Sequence, residues 1–143
     1  YKSYCSDMSR TFFIGKPTKK QRDCYTTVLN SKNESVSYIK NLLIKDLPID
    51  AEKIDRIARD FILLKDYPSI PHSLGHGIGL EVHEAPSLSP NSADTISEGM
   101  VFSIEPGIYM PDEFRVRIED LYTIQHGKLV QLTHSPSSLS SRN

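Results

Sequence analysis

The sequence predicts an α+β domain, with helices packed on one side of a largely antiparallel sheet. Three observations carry that expectation. Two helical stretches lie between Thr18 and about Ile62; from Pro68 onward short β-like runs alternate with Gly and Pro; and no linker divides the 143 residues, a length suited to one domain with its own core.

The elements follow in order. Residues 1–14 read as one extended segment, closed by Gly15 and Pro17. Thr18 with Gln21 three residues later forms a capping box that opens a helix running to about Leu43. Its apolar positions are Tyr25, Val28, Leu29, Val36, Ile39, Leu42 and Leu43, and the polar run "NSKNES" predicts a break or bend. Asp50 is placed to cap a second helix, whose Ile54, Ile57, Ala58, Phe61 and Ile62 follow i, i+3, i+4, i+7, i+8. The β-like runs are "GIGLEVHE", "MVFSIEPGIYM", "FRVRIEDLYTI" and "KLVQLT", the last two joined by "QHGK" as a hairpin. The tail "SPSSLSSRN" reads as frayed.

Composition narrows the function classes. The chain is 38% hydrophobic and 24% charged with a net charge of -1, so it lacks the basic footprint of a nucleic-acid or membrane-surface binder. No apolar run approaches the roughly 18–20 residues of a membrane span. "YKSYCSDMSR" has no apolar leader, and a start at Tyr1 rather than Met predicts a piece of a longer protein. Two cysteines, Cys5 and Cys24, allow one disulfide or none; reduced thiols and a cytoplasmic location are the expectation.

The chemistry concentrates in "SLGHGIGLEVHEAP", where His76 and His83, with His72 just before, crowd against glycines although the chain has five histidines and seven glycines in all. Asp7 lies in "YCSDMSRT" and Glu105 directly before a Pro–Gly break. Arg115, Arg117 and Glu119 share parity in "FRVRIED", which predicts one face of one strand. A carboxylate in an apolar strand is costly unless paired or ligated. Singly, each has a plainer reading: Glu119 as a salt bridge, Asp7 as a turn residue, His76 as a loop histidine. Together, three carboxylates and an imidazole suit divalent cations.

In this order, "YCSDMSRT", "HSLGHGIGLEVHE", "EGMVFSIEPGIY" and "VRIEDL" resemble the signatures of the pita-bread metallopeptidases, which include methionine aminopeptidase, aminopeptidase P and prolidase. The resemblance runs from Tyr1 to about Thr133. "IEPGIY" followed by "VRIED", with His72 four residues before His76, is similar to the Xaa-Pro peptidase branch. It implies the pita-bread fold, helices on a curved sheet lacking its first strands. Residues 1–143 would then be a C-terminal catalytic domain, incomplete at its N-terminal side.

The resemblance also implies a ligand set. Asp7, His76, Glu105 and Glu119 match four metal ligands; the fifth, an aspartate expected a few residues before Tyr1, is not in this sequence. The parent protein would hold two divalent ions, Mn2+ first and Co2+, Fe2+ or Zn2+ next, and this chain one. Arg115 stands where the family commonly has glycine. Glu105 would act as general base and then acid, and His83 would donate to the scissile carbonyl oxygen. His72 would sit near the proline, and Arg117 would orient Glu119 or bind substrate. The implied activity is an aminopeptidase P-like cut between an N-terminal residue and proline, on peptides with proline second. The alternatives are an Xaa-Pro dipeptidase (prolidase), a non-catalytic peptide-binding module of the same fold, or an inactive fragment of the enzyme. A homo-oligomer is expected, formed through an exposed strand edge at residues 1–14.

Overall fold

A computed structural model describes residues 2–139 and the backbone of residues 141–142. In chain order the elements are β1 (Phe13–Ile14), α1 (Lys19–Ile44), α2 (Ala51–Leu63), β2 (Gly75–Gly77), β3 (Glu84–Leu88), β4 (Val101–Ile104), β5 (Gly107–Met110), β6 (Phe114–Arg117), β7 (Asp120–Gln125), β8 (Lys128–Gln131) and β9 (Ser141–Arg142). An antiparallel sheet in the order β3-β2-β4-β7-β8 forms the body; β5 pairs with β6, and β1 pairs with β9 in parallel. The two helices pack along each other, α2 against β3 and α1 against β6 and β8. The α+β expectation holds.

Helix α1 opens with the predicted capping box: the Gln21 N–H donates to Thr18 Oγ1 at 3.2 Å, and the Thr18 N–H to Gln21 Oε1 at 2.8 Å. It then runs unbroken through "NSKNES". No bend is needed, because Ser31, Lys32 and Ser35 are buried with partners. Ser31 Oγ donates to Ala58 O at 3.0 Å, Ser35 Oγ to Ser31 O at 3.3 Å, and Lys32 Nζ to the Asp120 carboxylate. Helix α2 buries Ile54, Ala58 and Ile62 as its spacing predicts. Asp50 occupies the N-cap position, but its side chain makes no cap hydrogen bond and pairs with Lys53 instead.

Three expectations about strands and one about the tail are corrected. Within residues 1–14 only Phe13–Ile14 is a strand, and Tyr1 lies outside the described residues. The segment before it is tied backbone to backbone, Cys5 N–H to Gly79 O at 2.8 Å and Glu119 N–H to Ser9 O at 3.0 Å, without forming a ladder. "GIGLEVHE" is mostly the loop between β2 and β3, since the chain must reverse there. "FRVRIEDLYTI" divides at Ile118–Glu119 into β6 and β7, which belong to different sheets. The tail is held: Arg10 donates to Ser135 O and Pro136 O, the Tyr25 hydroxyl to Ser137 O, and 141–142 pair with β1. Ser140 and Asn143, also in that tail, lie outside the described residues. The β7–β8 hairpin forms as expected, with His126 and Gly127 at φ 52° and 68°, the left-handed pair of a type I′ turn. Both cysteines are free thiols. Among the described residues no helix is long and apolar enough to cross a membrane.

A charged cluster sits in this core. Asp120, fully buried at the start of β7, receives Lys32 Nζ from α1, Arg10 Nη2 at 2.5 Å and Thr133 Oγ1 at 2.8 Å. Burial pushes its carboxyl up, but the hydrogen bonds from Lys32, Arg10 and Thr133 outweigh burial and hold it below the usual carboxylate value. Asp120→Asn leaves two buried cations facing a neutral amide, and a loss of about 3–5 kcal/mol in urea unfolding at pH 7 is expected. A carboxyl with a lowered folded pKa stabilises above its unfolded pKa of about 3.9, and that contribution fades as the pH falls through the folded value. The gap between wild type and Asp120→Asn therefore narrows in acid; a gap constant from pH 7 to pH 2 contradicts this account.

Candidate metal centre

The centre is built on β2, which lies between β3 and β4. A Cβ at Gly75 would meet Ser103 O at 2.0 Å, and one at Gly77 would meet Ala85 O at 2.0 Å. Only hydrogen fits at either position, so these glycines let both neighbouring backbones close around His76. The register shifts between His76 and Gly77, a bulge that breaks the regular alternation at the histidine.

The His76 ring is then fixed by its partners. Its backbone N–H donates to Ser103 Oγ at 3.0 Å, and Nδ1–H faces Gly77 O at 3.0 Å. A carbonyl only accepts, so Nδ1 carries the proton and Nε2 points at Glu105 Oε1, 3.2 Å away. The Glu105 hydrogen bond, opposed by burial, raises the His76 pKa. Glu105 follows β4 at the Pro–Gly break, as predicted, and Ser103 Oγ donates to its Oε1 at 3.2 Å.

Glu119 completes the centre from the turn between β6 and β7, and its side chain is buried. Its Oε2 accepts from Ser9 Oγ at 2.7 Å, while its buried Oε1 has no hydrogen-bond partner. Burial, then the neighbouring Glu105 and Asp7 charges, push its pKa up to about 6 against the Ser9 hydrogen bond. One ligand atom from each of Asp7, His76 and Glu119 lies within 4.8 Å of the others. Glu105 joins them through His76.

The remaining predicted residues surround this core. His83, exposed just before β3, places its ring centroid 4.3 Å from that of His76 at 72°. His72 lies farther along, Nδ1 on Ser73 O at 2.7 Å and Nε2 on the Tyr109 hydroxyl at 2.8 Å. Arg117 reaches the centre through Ser9, its Nε donating to Ser9 Oγ at 3.2 Å. The shared-face expectation holds for Arg115 and Arg117, exposed either side of buried Val116, and fails for Glu119, which lies past the end of β6 and is buried. Sequence reasoning missed Ser9, Ser103 and Tyr109. Lone hydroxyls have no spacing signature, although Ser9 shares the parity of Asp7.

Gly77→Ala is expected to cost about 3 kcal/mol, the upper end of the usual overpacking penalty, read as a lower urea midpoint. An unchanged midpoint would show that β3 gives way freely.

Comparison with known proteins agrees with this geometry. The family model of metallopeptidase family M24 matches residues 1–126. The uncharacterized peptidase YqhT of Bacillus subtilis is 39% identical over 140 residues, 97% of this chain and 38% of its own length. The X-Pro aminopeptidase of Thermotoga maritima superposes with a TM-score of 0.89 at 34% identity, covering 99% of this chain and 39% of that one. The Xaa-Pro dipeptidase of Bacillus anthracis gives 0.88 at 38% identity with the same coverage, 99% and 39%. The chain thus spans about two-fifths of the length of these relatives, and its helices and antiparallel sheet are the corresponding part of the pita-bread fold. On the matched family model, the relatives' identity and the shared fold, this chain belongs to metallopeptidase family M24.

Proposed function

We propose that this chain carries the catalytic unit, incomplete at its N-terminal side, of a divalent-metal exopeptidase that cuts between an N-terminal residue and proline. The observation that carries the metal is Glu119 Oε1, a buried carboxylate oxygen with no donor, on a residue clustered with Asp7 and His76. Such an orphan acceptor is costly unless a cation meets it. Asp7, His76, Glu105 and Glu119 form an oxygen-rich set with one imidazole, suited to Mn2+, with Co2+, Fe2+ or Zn2+ as alternatives. Ser9, Ser103 and the Gly77 carbonyl hold those groups from behind, as outer partners of metal ligands do. Held there, a divalent ion would polarise a peptide carbonyl and make a water nucleophilic near neutral pH.

The chain's own groups supply the rest. Glu105 takes the proton of the attacking water and returns it to the leaving nitrogen. His83, exposed beside His76, donates to the carbonyl oxygen as charge develops. His72, held by Tyr109, faces the proline side. Arg117 orients Glu119 through Ser9, whose hydroxyl accepts from the arginine and donates to the carboxylate. Proline as the second residue rests on the solved relatives, described as an X-Pro aminopeptidase and an Xaa-Pro dipeptidase. The dipeptidase reading is kept because that relative is the more identical of the two, 38% against 34%. Two free thiols support a reducing, cytoplasmic setting. Ile14, 95% exposed on β1, supports self-association of copies of this chain.

Calorimetric titration of Mn2+ into the chain is expected to show one site, weakened at least about tenfold in Glu119→Ala. No binding, or equal binding in the variant, sinks the metal assignment. On the same samples, an Xaa–Pro–Xaa tripeptide and an Xaa–Pro dipeptide separate the two specificities. Cleavage of the dipeptide alone would favour the dipeptidase.

A further inference from the structure

The side chain of Arg10 is only 4% exposed, and its guanidinium joins three parts of the chain that are far apart in sequence. Nη1 donates to Ser9 O at 2.9 Å and to Glu119 O at 2.5 Å. Nη2 donates to Asp120 Oδ1 at 2.5 Å and to Ser135 O at 2.7 Å, and Nε to Pro136 O at 3.1 Å. One planar group therefore spans the segment carrying Asp7, the turn carrying Glu119, and residues 135–136.

Net stability is a weak reason to keep such a group. Burying a guanidinium with a carboxylate and an ammonium costs much of what their attraction returns. What the guanidinium supplies uniquely is geometry. Its rigid fork of five donors holds several acceptors at fixed spacing, which the single ammonium of lysine does not reproduce. Two of those acceptors are the carbonyls of Ser9 and Glu119. The same two residues are tied by the Glu119 N–H to Ser9 O at 3.0 Å and by Ser9 Oγ to Glu119 Oε2 at 2.7 Å.

We propose that Arg10 is a positioning residue for the metal centre: its guanidinium sets the spacing between the Asp7 and Glu119 carboxylates by clamping the two backbones that carry them. This rests on the metal reading given above. Arg10 touches neither metal nor substrate. The segment at 135–136 completes its acceptor set, so the tail of the chain is part of the same clamp.

The test is Mn2+ calorimetry on the 143-residue chain as wild type, Arg10→Lys, Arg10→Gln and Thr133→Val, with folding checked by far-ultraviolet circular dichroism. Arg10→Lys keeps the charge beside Asp120 and loses the fork; Arg10→Gln keeps two N–H donors and loses the charge. Thr133→Val loosens the same ion cluster without touching residues 7–9 or 119. The dissociation constant is expected to rise about ten- to a hundredfold in both Arg10 variants, and to stay at the wild-type value in Thr133→Val even where that variant melts earlier. Wild-type affinity in the Arg10 variants overturns the proposal, as does affinity that falls with melting temperature in all three. Should neither Arg10 variant fold, the nitrogen-15 signals of Arg10 in the wild-type chain decide. They are expected to shift on addition of Zn2+ while those of exposed Arg56 do not, and still signals overturn the proposal. Absence of Mn2+ binding by the wild type removes the metal reading itself, and this role with it; binding without dependence on Arg10 removes only the clamp.

Discussion

Asp120 carries its charge where no solvent reaches it, and most of the architecture near the centre is arranged around that fact. The carboxylate is satisfied by Lys32 from α1, Arg10 from the segment ahead of β1, and Thr133 from the stretch after β8. Three parts of the chain distant in sequence are thereby fixed to the start of β7. An apolar contact tolerates sliding, whereas a carboxylate with three donors does not. Of these three donors, Arg10 also reaches the backbone carbonyls of Ser9 and Glu119, so the centre is tied to this cluster through that guanidinium.

The second constraint is backbone proximity. With hydrogen alone at Gly75 and Gly77, β3 and β4 draw close to β2 on both sides. His76 between them gains Ser103 Oγ and the Gly77 carbonyl as partners, and its Nε2 is aimed at Glu105. The clustering of glycine and histidine in the sequence is thus one device, the glycines making room and the histidine using it.

The helices, the β7–β8 hairpin and the break after Glu105 were legible in the sequence because each has a local cause: a capping box, apolar spacing, a turn dipeptide, a Pro–Gly pair. The resemblance implied ligand roles for Asp7, His76, Glu105 and Glu119, and the structure brings those side chains near one another. What escaped depends on partners distant in sequence. "NSKNES" reads as an interruption only if a buried helix face must be apolar; Lys32 and Ser31 are buried because Asp120 and Ala58 O meet them. Parity could not reveal that the run after Arg117 changes sheet. No period singles out Ser9, Ser103 or Arg10, since a hydroxyl or guanidinium gains its meaning from what the fold brings opposite.

Asp7 and Glu119 stand 112 positions apart, with His76 and Glu105 between them. Each of those separations has to be closed before the four groups meet, which adds non-local contacts that form more slowly than helices or a hairpin. A ligand that requires all of them cannot act as a nucleus for the chain. It recognises the finished molecule alone, and whatever it contributes appears as slower unfolding rather than faster folding.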